Sequence, residues 1–137
     1  MREGASICRR YVMRLPFSVQ EFLGVFAAYN EAIWPTQVVA YAIAAMAVVL
    51  AVRPRRGAGR FVAGVLAWMW VWTGWEYHIM HFSGINPAAR LFGAAFVLQG
   101  LGFAAAGVVR PGLGFRPRKD VYGGVGAALV ASAMALY

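Results

Sequence analysis

Four long hydrophobic stretches dominate the pattern of apolar and polar positions along this chain of 137 residues. They cover residues 34–52, 61–80, 91–109 and 121–137, so the first three have 19 or 20 residues and the fourth has 17. A helix needs about 20 apolar residues to cross a hydrocarbon core about 30 Å thick. The pattern predicts an all-α integral membrane protein in which residues 15–137 form a single membrane domain with four transmembrane helices.

A further helix, amphipathic rather than wholly apolar, is predicted for residues 18–34. Ser18 and Glu21 have the spacing of a capping box, and Phe17 and Phe22 occupy the hydrophobic-staple positions that flank this cap. Apolar residues then recur at helical spacing, which favours a helix lying flat in the membrane interface. A helix half-buried against the bundle is the alternative. Pro35 follows and permits a sharp bend into the first transmembrane helix.

The composition agrees with a lipid environment. Hydrophobic residues make up 61% of the chain and charged residues 13%, whereas soluble domains carry about 25% charged residues. A soluble chain of this length has too little polar surface to cover so much apolar mass. A transmembrane helix satisfies its own backbone hydrogen bonds, and we therefore predict the lipid bilayer as the main partner.

The positive charge is concentrated in two loops. The net charge is +8, and residues 53–60 and 110–119 contain four basic residues each, whereas the loop between the second and third stretches has Arg90 alone. Short cytoplasmic loops are enriched in Lys and Arg. Both basic loops are therefore predicted to be cytoplasmic in a protein of the cell inner (plasma) membrane. The clusters are not interleaved with aromatic residues, which argues against nucleic acid as a partner.

Residues 1–14 are predicted to be a disordered basic arm. In this topology the basic arm lies outside the cell, contrary to the enrichment of Lys and Arg in cytoplasmic segments. Three of its four arginines precede the first transmembrane helix by more than 20 residues, however, and at that distance basic residues have less influence on the orientation. Met13 offers a second start that would remove those three. The single cysteine, Cys8, excludes an internal disulfide and a cysteine-based metal site.

Local signals predict where later helices begin and how they pack. Asn86 and Asp120 are predicted to cap the third and fourth transmembrane helices. Small residues four apart in these helices predict close packing, either within the chain or between subunits. The pairs are Gly100 with Ala104, Gly102 with Ala106, Gly123 with Ala127, and Gly124 with Ala128.

The densest polar cluster inside an apolar stretch contains Glu76, His78 and His81. At 100° per residue the two histidines lie about 60° apart on one face, and Glu76 points away from them. Because one helix does not bring all three groups to one ligand, we predict no metal site and no cofactor; haem ligation by the histidines is a remote alternative. The ordinary interpretation is that these three side chains lie at the membrane–water interface, with their polar ends in contact with water. The functional alternative is proton or substrate coupling, since an ionisable group within a membrane helix is costly.

A second group of polar residues is expected to complete this site. Tyr29, Asn30 and Glu31 lie in the predicted amphipathic helix. We expect that helix to pack over the outer ends of the second and third transmembrane helices, so that these residues approach His78, His81 and Asn86. Trp72 lies one turn before Glu76, and the pair is the best candidate for contact with a cationic substrate.

Two local motifs suggest a family. One is Tyr-Asn-Glu-Ala-Ile-Trp-Pro at residues 29–35, and the other is Tyr77-His78 followed by Ile-Asn-Pro-Ala-Ala at residues 85–89. With these, residues 13–137 resemble an uncharacterised bacterial family of multi-pass membrane proteins, some of whose members are labelled permeases. The resemblance implies no catalytic residues. Members of that family look longer by two membrane helices, so the apolar end at Leu136-Tyr137 predicts a shortened member.

The sequence leaves two functional hypotheses from different classes. The first is a small transporter or permease component in which Glu76 couples protons to cation movement. The second is a non-catalytic membrane scaffold or assembly subunit, acting as a homo-oligomer or with a membrane partner subunit. No phosphate-binding loop, nucleophile elbow or paired catalytic carboxylates are visible, so we do not predict an enzyme.

Overall fold

The computed structural model describes residues 15–53, 55–110 and 112–136, and within them the regular structure is entirely helical. The all-α prediction is confirmed. The predicted arm of residues 1–14, with Cys8 and Met13, lies outside the described residues. The elements in chain order are α1 (Val19–Ala32), α2 (Thr36–Val52), α3 (Ala58–Trp72), the π-helical segment π1 (Thr73–His81), a 3-10 turn (Phe82–Gly84), α4 (Ala89–Phe103), the π-helical segment π2 (Ala104–Val109) and α5 (Val121–Leu136).

Helix α1 begins as its sequence predicts. The Ser18 hydroxyl accepts a hydrogen bond from the Glu21 N–H at 3.2 Å, and the Glu21 carboxylate accepts one from the Ser18 N–H at 2.7 Å. The rings of Phe17 and Phe22 stack with centroids 5.9 Å apart. The capping box and the staple are both confirmed. At Pro35 the chain turns, and the axes of α1 and α2 differ by 85°, which confirms the predicted bend.

Of the two caps predicted for later helices, the one at Asp120 is confirmed, whereas Asn86 lies in the turn before α4 and the N-cap residue of that helix is Ala88. The Asn86 side-chain oxygen accepts from the Ala88 N–H at 3.1 Å, in the turn that leads into α4. The Asp120 carboxylate accepts from the Gly123 N–H at 2.9 Å in the first turn of α5. Each bond satisfies a backbone donor that a helix start leaves without an intrahelical partner.

The continuous helix of α4 and π2 is antiparallel to the helix of α3 and π1 and touches it along a line of three glycines, the glycine seam, formed by Gly93, Gly100 and Gly107. A Cβ at Gly93 would lie 2.7 Å from the Gly74 carbonyl oxygen, and one at Gly100 would lie 2.8 Å from the Ala67 carbonyl oxygen. A Cβ at Gly107 would lie 2.2 Å from the Cβ of Ala63. The two helices are in backbone contact at the seam, and no larger residue fits there.

The seam differs from the predicted small-residue pairs. Its glycines recur every seven residues rather than every four. Gly100 belongs to it, whereas added Cβ atoms at Gly102 and Gly124 would meet nothing within 4 Å among the described parts of the chain. Of the predicted small positions, Gly102 and Gly124 therefore lie on open faces.

Small side chains fill the interior and large ones lie outside. The buried hydrophobic residues of the described chain are alanines and valines, including Ala47, Val62 and Ala63. Many large apolar residues are exposed, among them Leu91 at 74% and Leu98 at 68% of their surface. In soluble proteins large apolar side chains are mostly buried, because their removal from water supplies much of the folding free energy.

Tested by length and hydropathy, the described residues include one helix that is long and apolar enough to cross a membrane. It is the continuous helix of α4 and π2, Ala89–Val109, with 21 residues; α1 and α2 pass the test only if the bent pair is one span. Helix α2 has 17 residues and α5 has 16, and at 1.5 Å per residue each is about 24–26 Å long. The α3–π1 helix is longer but carries Glu76 and two histidines. Four transmembrane helices therefore stay a prediction.

The bundle has two distinct ends. The upper end holds α1, π1 and the turn before α4, and the lower end holds the two basic loops. The linker of residues 112–119 folds back over the start of α3, and the Leu113 carbonyl oxygen would lie 2.7 Å from a Cβ at Gly59. Arg55 and Arg116 line one groove there. The two basic loops therefore lie together at one end of the bundle, and their cytoplasmic location stays a prediction.

Candidate functional site

Aromatic rings attach α1 to π1 at the upper end. Phe22 meets Phe82 with ring centroids 5.8 Å apart, and Phe26 meets Tyr77 at 5.2 Å. Tyr29 lies 5.4 Å from His81, with the rings nearly perpendicular. The Phe22–Phe82 and Tyr29–His81 pairs are edge-to-face, a geometry that stabilises a contact beyond the area that it buries. Of the expected packing of α1 over the ends of the second and third long helices, the contact with the second is confirmed through Tyr29 and His81, and the contact with the third stays a prediction.

A hydrogen bond joins two of the predicted site residues. The Trp72 indole N–H donates to the Tyr29 hydroxyl at 3.2 Å. Both side chains are half-buried, and the residues come from α3 and α1, 43 positions apart in the chain. This bond fixes the orientation of the indole relative to α1.

Trp72 and Tyr29 form part of the wall of an upper groove of about 250 Å³. The other aromatic walls are Trp68 and Tyr41, and the hydroxyl of Tyr41 donates to the Met134 carbonyl of α5. The remaining lining residues are small, apolar or uncharged polar. They are Ile33, Thr36, Gln37, Ala40, Ala44, Met69, Thr73, Ala133 and Met134. Among the described residues, the lining contains no ionisable acid or base apart from the tyrosines. The groove therefore suits a small ligand that is recognised by aromatic rings and a few hydroxyl or amide groups.

Three other predicted site residues form hydrogen bonds elsewhere in the structure. The Asn30 side-chain oxygen accepts from the Gln37 amide at 2.9 Å and so links α1 to α2 across the bend. Glu31 is exposed at the end of α1, where its carbonyl accepts from the Trp34 N–H at 3.3 Å. Asn86 caps the turn before α4. None of these three residues lines the upper groove.

The two histidines have different neighbours, because residues 73–81 wind as a π-helix. The His81 ring nitrogen Nδ1 lies 2.7 Å from the Glu76 carbonyl oxygen, five residues earlier, and the ring faces Tyr29. The His78 ring packs against Phe96 of α4 with centroids 4.7 Å apart. The common face predicted for the histidines assumed 3.6 residues per turn and does not hold in the wider π turn.

His78 and Glu76 differ in their hydrogen bonding. The Nδ1 of His78 is buried and has no hydrogen-bond partner within the described residues. Glu76 is half-buried, and its backbone carbonyl rather than its carboxylate pairs with His81. No three His, Cys, Asp or Glu side chains of the described ranges lie close enough together to hold a metal ion. Segments of π-helix are rare and often occur at functional sites.

Sequence reasoning missed the contribution of α2 to the groove. Thr36, Gln37 and Tyr41 are the polar or aromatic residues that follow Pro35 in an otherwise aliphatic stretch, and Gln37 and Tyr41 are four apart. Polar residues in such a stretch usually face a helix neighbour or a cavity rather than lipid, and this signal was available.

A comparison of the sequence with family models matches residues 19–137 to a family of unknown function, DUF6064. The chain belongs to this family. The match begins at the first residue of α1 and includes both histidines, the glycine seam and the upper groove. No curated protein and no solved structure matches the chain. The family description carries no activity, so the functional argument depends on the residues themselves.

Proposed function

We propose that this chain is a multi-pass protein of the inner membrane that serves as a small transporter or permease component. Its crossing helices are α2, α3 with π1, α4 with π2, and α5, and α1 lies along the outer interface. The upper groove is the observation that carries the transport part of this proposal. It lies between α1, α2, α3 and α5, and Tyr29 and Trp72 form part of its wall.

The outward position of the large apolar side chains supports the membrane location. Helix association in lipid depends on close packing of small residues, because lipid tails are as apolar as leucine. The glycine seam is such a contact. The basic lower end supports an orientation with loops 53–60 and 110–119 in the cytoplasm, which places α1 and the upper groove at the outer surface.

The aromatic lining supports a small organic cation as substrate. Four aromatic residues, Tyr29, Tyr41, Trp68 and Trp72, line the groove, and no Lys, Arg or His joins them. Aromatic faces attract alkylammonium groups by about 0.5–2 kcal/mol each. Glu76 follows Trp72 by four residues, and in this proposal its carboxylate takes up and releases the coupled proton.

Topology is tested by labelling introduced cysteines in intact cells. In a chain with Cys8→Ser, the variants Arg56→Cys and Ser83→Cys each place one thiol at opposite ends of the bundle. An impermeant maleimide added outside should label position 83 and leave position 56 unlabelled until the cells are opened. Labelling of position 56 alone in intact cells would show that the orientation is opposite to the proposed one.

Substrate class is tested with choline and its uncharged analogue 3,3-dimethyl-1-butanol, which has the same shape. Trp68 and Trp72 line the groove, so tryptophan fluorescence of the purified chain reports its occupancy. Choline should give a saturable change, and the alcohol should bind at least about tenfold more weakly because it lacks the cation–π attraction. Equal binding of the two compounds would contradict the cation assignment, and uptake of labelled choline into proteoliposomes then tests transport itself.

Helix α5 favours the second candidate function, a non-catalytic scaffold or assembly subunit. None of its described residues is buried, and Val121, Val125 and Leu129 are each more than half exposed. This face is available to another subunit. Light scattering in mild detergent should give the mass of a dimer or larger assembly if this function is correct, and a monomer that retains choline binding favours the transporter.

A further inference from the structure

A second groove of about 250 Å³ lies at the lower end, between the α2–α3 corner and the linker that precedes α5. The wall of this lower groove contains residues from four segments, namely α2, the turn after it, α3 and the linker. These residues are Leu50, Ala51, Arg55, Ala58, Gly59, Val62, Leu113, Gly114, Phe115 and Arg116. Gly59 places the linker, because only a residue without a side chain lets the Leu113 carbonyl approach α3 so closely.

The wall of the lower groove is strongly positive. Arg55 comes from the corner and Arg116 from the linker, so two guanidinium groups reach the groove from different segments. The first turn of α3 also lines it, and the backbone N–H groups of Gly59 and Arg60 have no partner among the described residues. A helix start adds partial positive charge to that of the arginines.

Little negative charge balances these groups. Asp120 is the carboxylate that the described chain places in this region, and it is already paired with Arg118 at 2.6 Å. The other described carboxylates, Glu21, Glu31 and Glu76, belong to α1 and π1. The arginines of the lower groove are therefore available to an anion from outside the chain.

The floor of the lower groove is apolar. Leu50 and Phe115 are half-buried and pack against the cluster of Ala47, Val62 and Val65 that joins α2 to α3. Guanidinium groups bind phosphate oxygens in pairs, and an apolar floor beside them suits hydrocarbon. The lining thus matches a ligand that has an anionic head and an apolar tail.

We propose that the lower groove binds the phosphate group of an acidic phospholipid, with Arg55 and Arg116 on the phosphate and the acyl chain beside Phe115. This inference rests on the proposed membrane location. Basic pockets between membrane helices at the cytoplasmic side bind acidic headgroups by the same chemistry. A free phosphate ion shares that chemistry but gains nothing from the apolar floor.

The test measures lipid binding to the purified full chain in uncharged detergent by native mass spectrometry. Dioleoylphosphatidylglycerol should bind in preference to dioleoylphosphatidylcholine. The double variant Arg55→Gln/Arg116→Gln should weaken phosphatidylglycerol binding about tenfold or more, because it removes two charge-assisted contacts. The matched control is Arg53→Gln/Arg110→Gln, which removes the same charge from the same two loops at residues that do not line the groove.

Three results would overturn the proposal. Equal losses in the two double variants would assign the binding to the general surface potential. Equal affinity for the two lipids would remove the headgroup contact. Displacement of the lipid by inorganic phosphate at the same free concentration would assign the groove to the free ion.

Choline binding in the upper groove, measured on the same samples, serves as the folding control and separates the two proposals. If choline binds and phosphatidylglycerol shows no preference, the lipid inference alone fails. If carbonate washing releases the protein from membranes, the proposed membrane location fails.

Discussion

The two grooves have the same volume, about 250 Å³, and opposite chemistry. The upper one has aromatic walls and no Lys, Arg, Asp or Glu, whereas the lower one holds two arginines over an apolar floor. Helix α2 lines both, with residues 36–44 at one end and Leu50 and Ala51 at the other. A cavity's volume therefore says little about its ligand here. The chemistry of each groove is determined by the residues that the turns bring to that end of the bundle.

The largest effect is expected at the glycine seam, which holds α4 against α3, a helix that contributes to the walls of both grooves. Gly100→Ala places a Cβ 2.8 Å from the Ala67 carbonyl and 3.1 Å from the Val71 nitrogen, and backbone atoms cannot move aside easily. We expect a loss of about 1–3 kcal/mol in unfolding free energy. Both choline and lipid binding should fall together. Thermal unfolding in detergent, followed by circular dichroism, measures the change.

The matched control for the seam is Gly102→Ala, two residues further along the same helix. An added Cβ there meets no atom of the described residues within 4 Å, so the better helix propensity of alanine should leave stability unchanged or raise it by up to about 1 kcal/mol. Equal destabilisation by the two variants would show that the seam does not join α3 and α4 in this way.

The next effect separates the grooves. Trp72→Ala removes an aromatic wall and the hydrogen bond to Tyr29, and we expect choline affinity to fall about tenfold or more. Phosphatidylglycerol binding at the lower end should not change. Trp75→Ala is the control, because Trp75 is 54% exposed and does not line the groove. If Trp75→Ala weakens choline binding equally, the upper groove is not the binding site.

Glu76 distinguishes binding from coupling at the upper end. Its carboxylate is not part of the groove lining, so Glu76→Gln should leave choline affinity within about twofold of the native value, a difference of about 0.4 kcal/mol. In proteoliposomes the same variant should lose the acceleration of uptake that a pH gradient produces. Glu31→Gln, which changes an exposed carboxylate at the end of α1, is the control. Uptake by Glu76→Gln that still responds to the gradient would exclude Glu76 from coupling.

The smallest effect concerns α1 alone. Hydrogen bonds from the Ser18 backbone and side chain lower the pKa of Glu21 from its ordinary value of 4.5. The stabilisation of α1 by the ionised Glu21 carboxylate is complete above the unfolded-state pKa of about 4.5 and is lost as the pH falls through the lower pKa of the folded state. Hydrogen exchange of the first amides of α1 should therefore show reduced protection on acidification below pH 4.5. In Glu21→Gln that pH response should be absent, and an identical response in the variant would assign it to another group.

How much of this fold the sequence predicts depends on the range of the interactions concerned. Ser18 and Asp120 cap their helices through bonds to residues three positions away, and these caps were predictable. The π-helical conformation of residues 73–81 could not be predicted, because α-helical and π-helical turns differ little in local sequence preference. The contacts that accompany it, of His78 with α4 and of Tyr29 with His81, join segments that are distant in the chain.

The candidate site shows the same limit. Trp72 and Tyr29 were predicted as site residues from their types and positions, and the structure joins them by a hydrogen bond. Tyr41 and Trp68 were missed as groove residues because each looks like an ordinary interfacial or packing residue until α2, α3 and α5 are assembled. Asn30 was assigned to the histidines but pairs with Gln37, since the bend at Pro35 brings the start of α2 nearer to it.

The spacing of seven residues between the glycines of the seam has a consequence for insertions and deletions. Deleting one residue between positions 94 and 99 would turn the rest of α4 by about 100° relative to its beginning. Leu101 would then occupy the place of Gly100 against Ala67, and Val108 would occupy the place of Gly107 against Ala63. The turn between α2 and α3 is free of this constraint, so changes in chain length among related proteins are expected there rather than within α4.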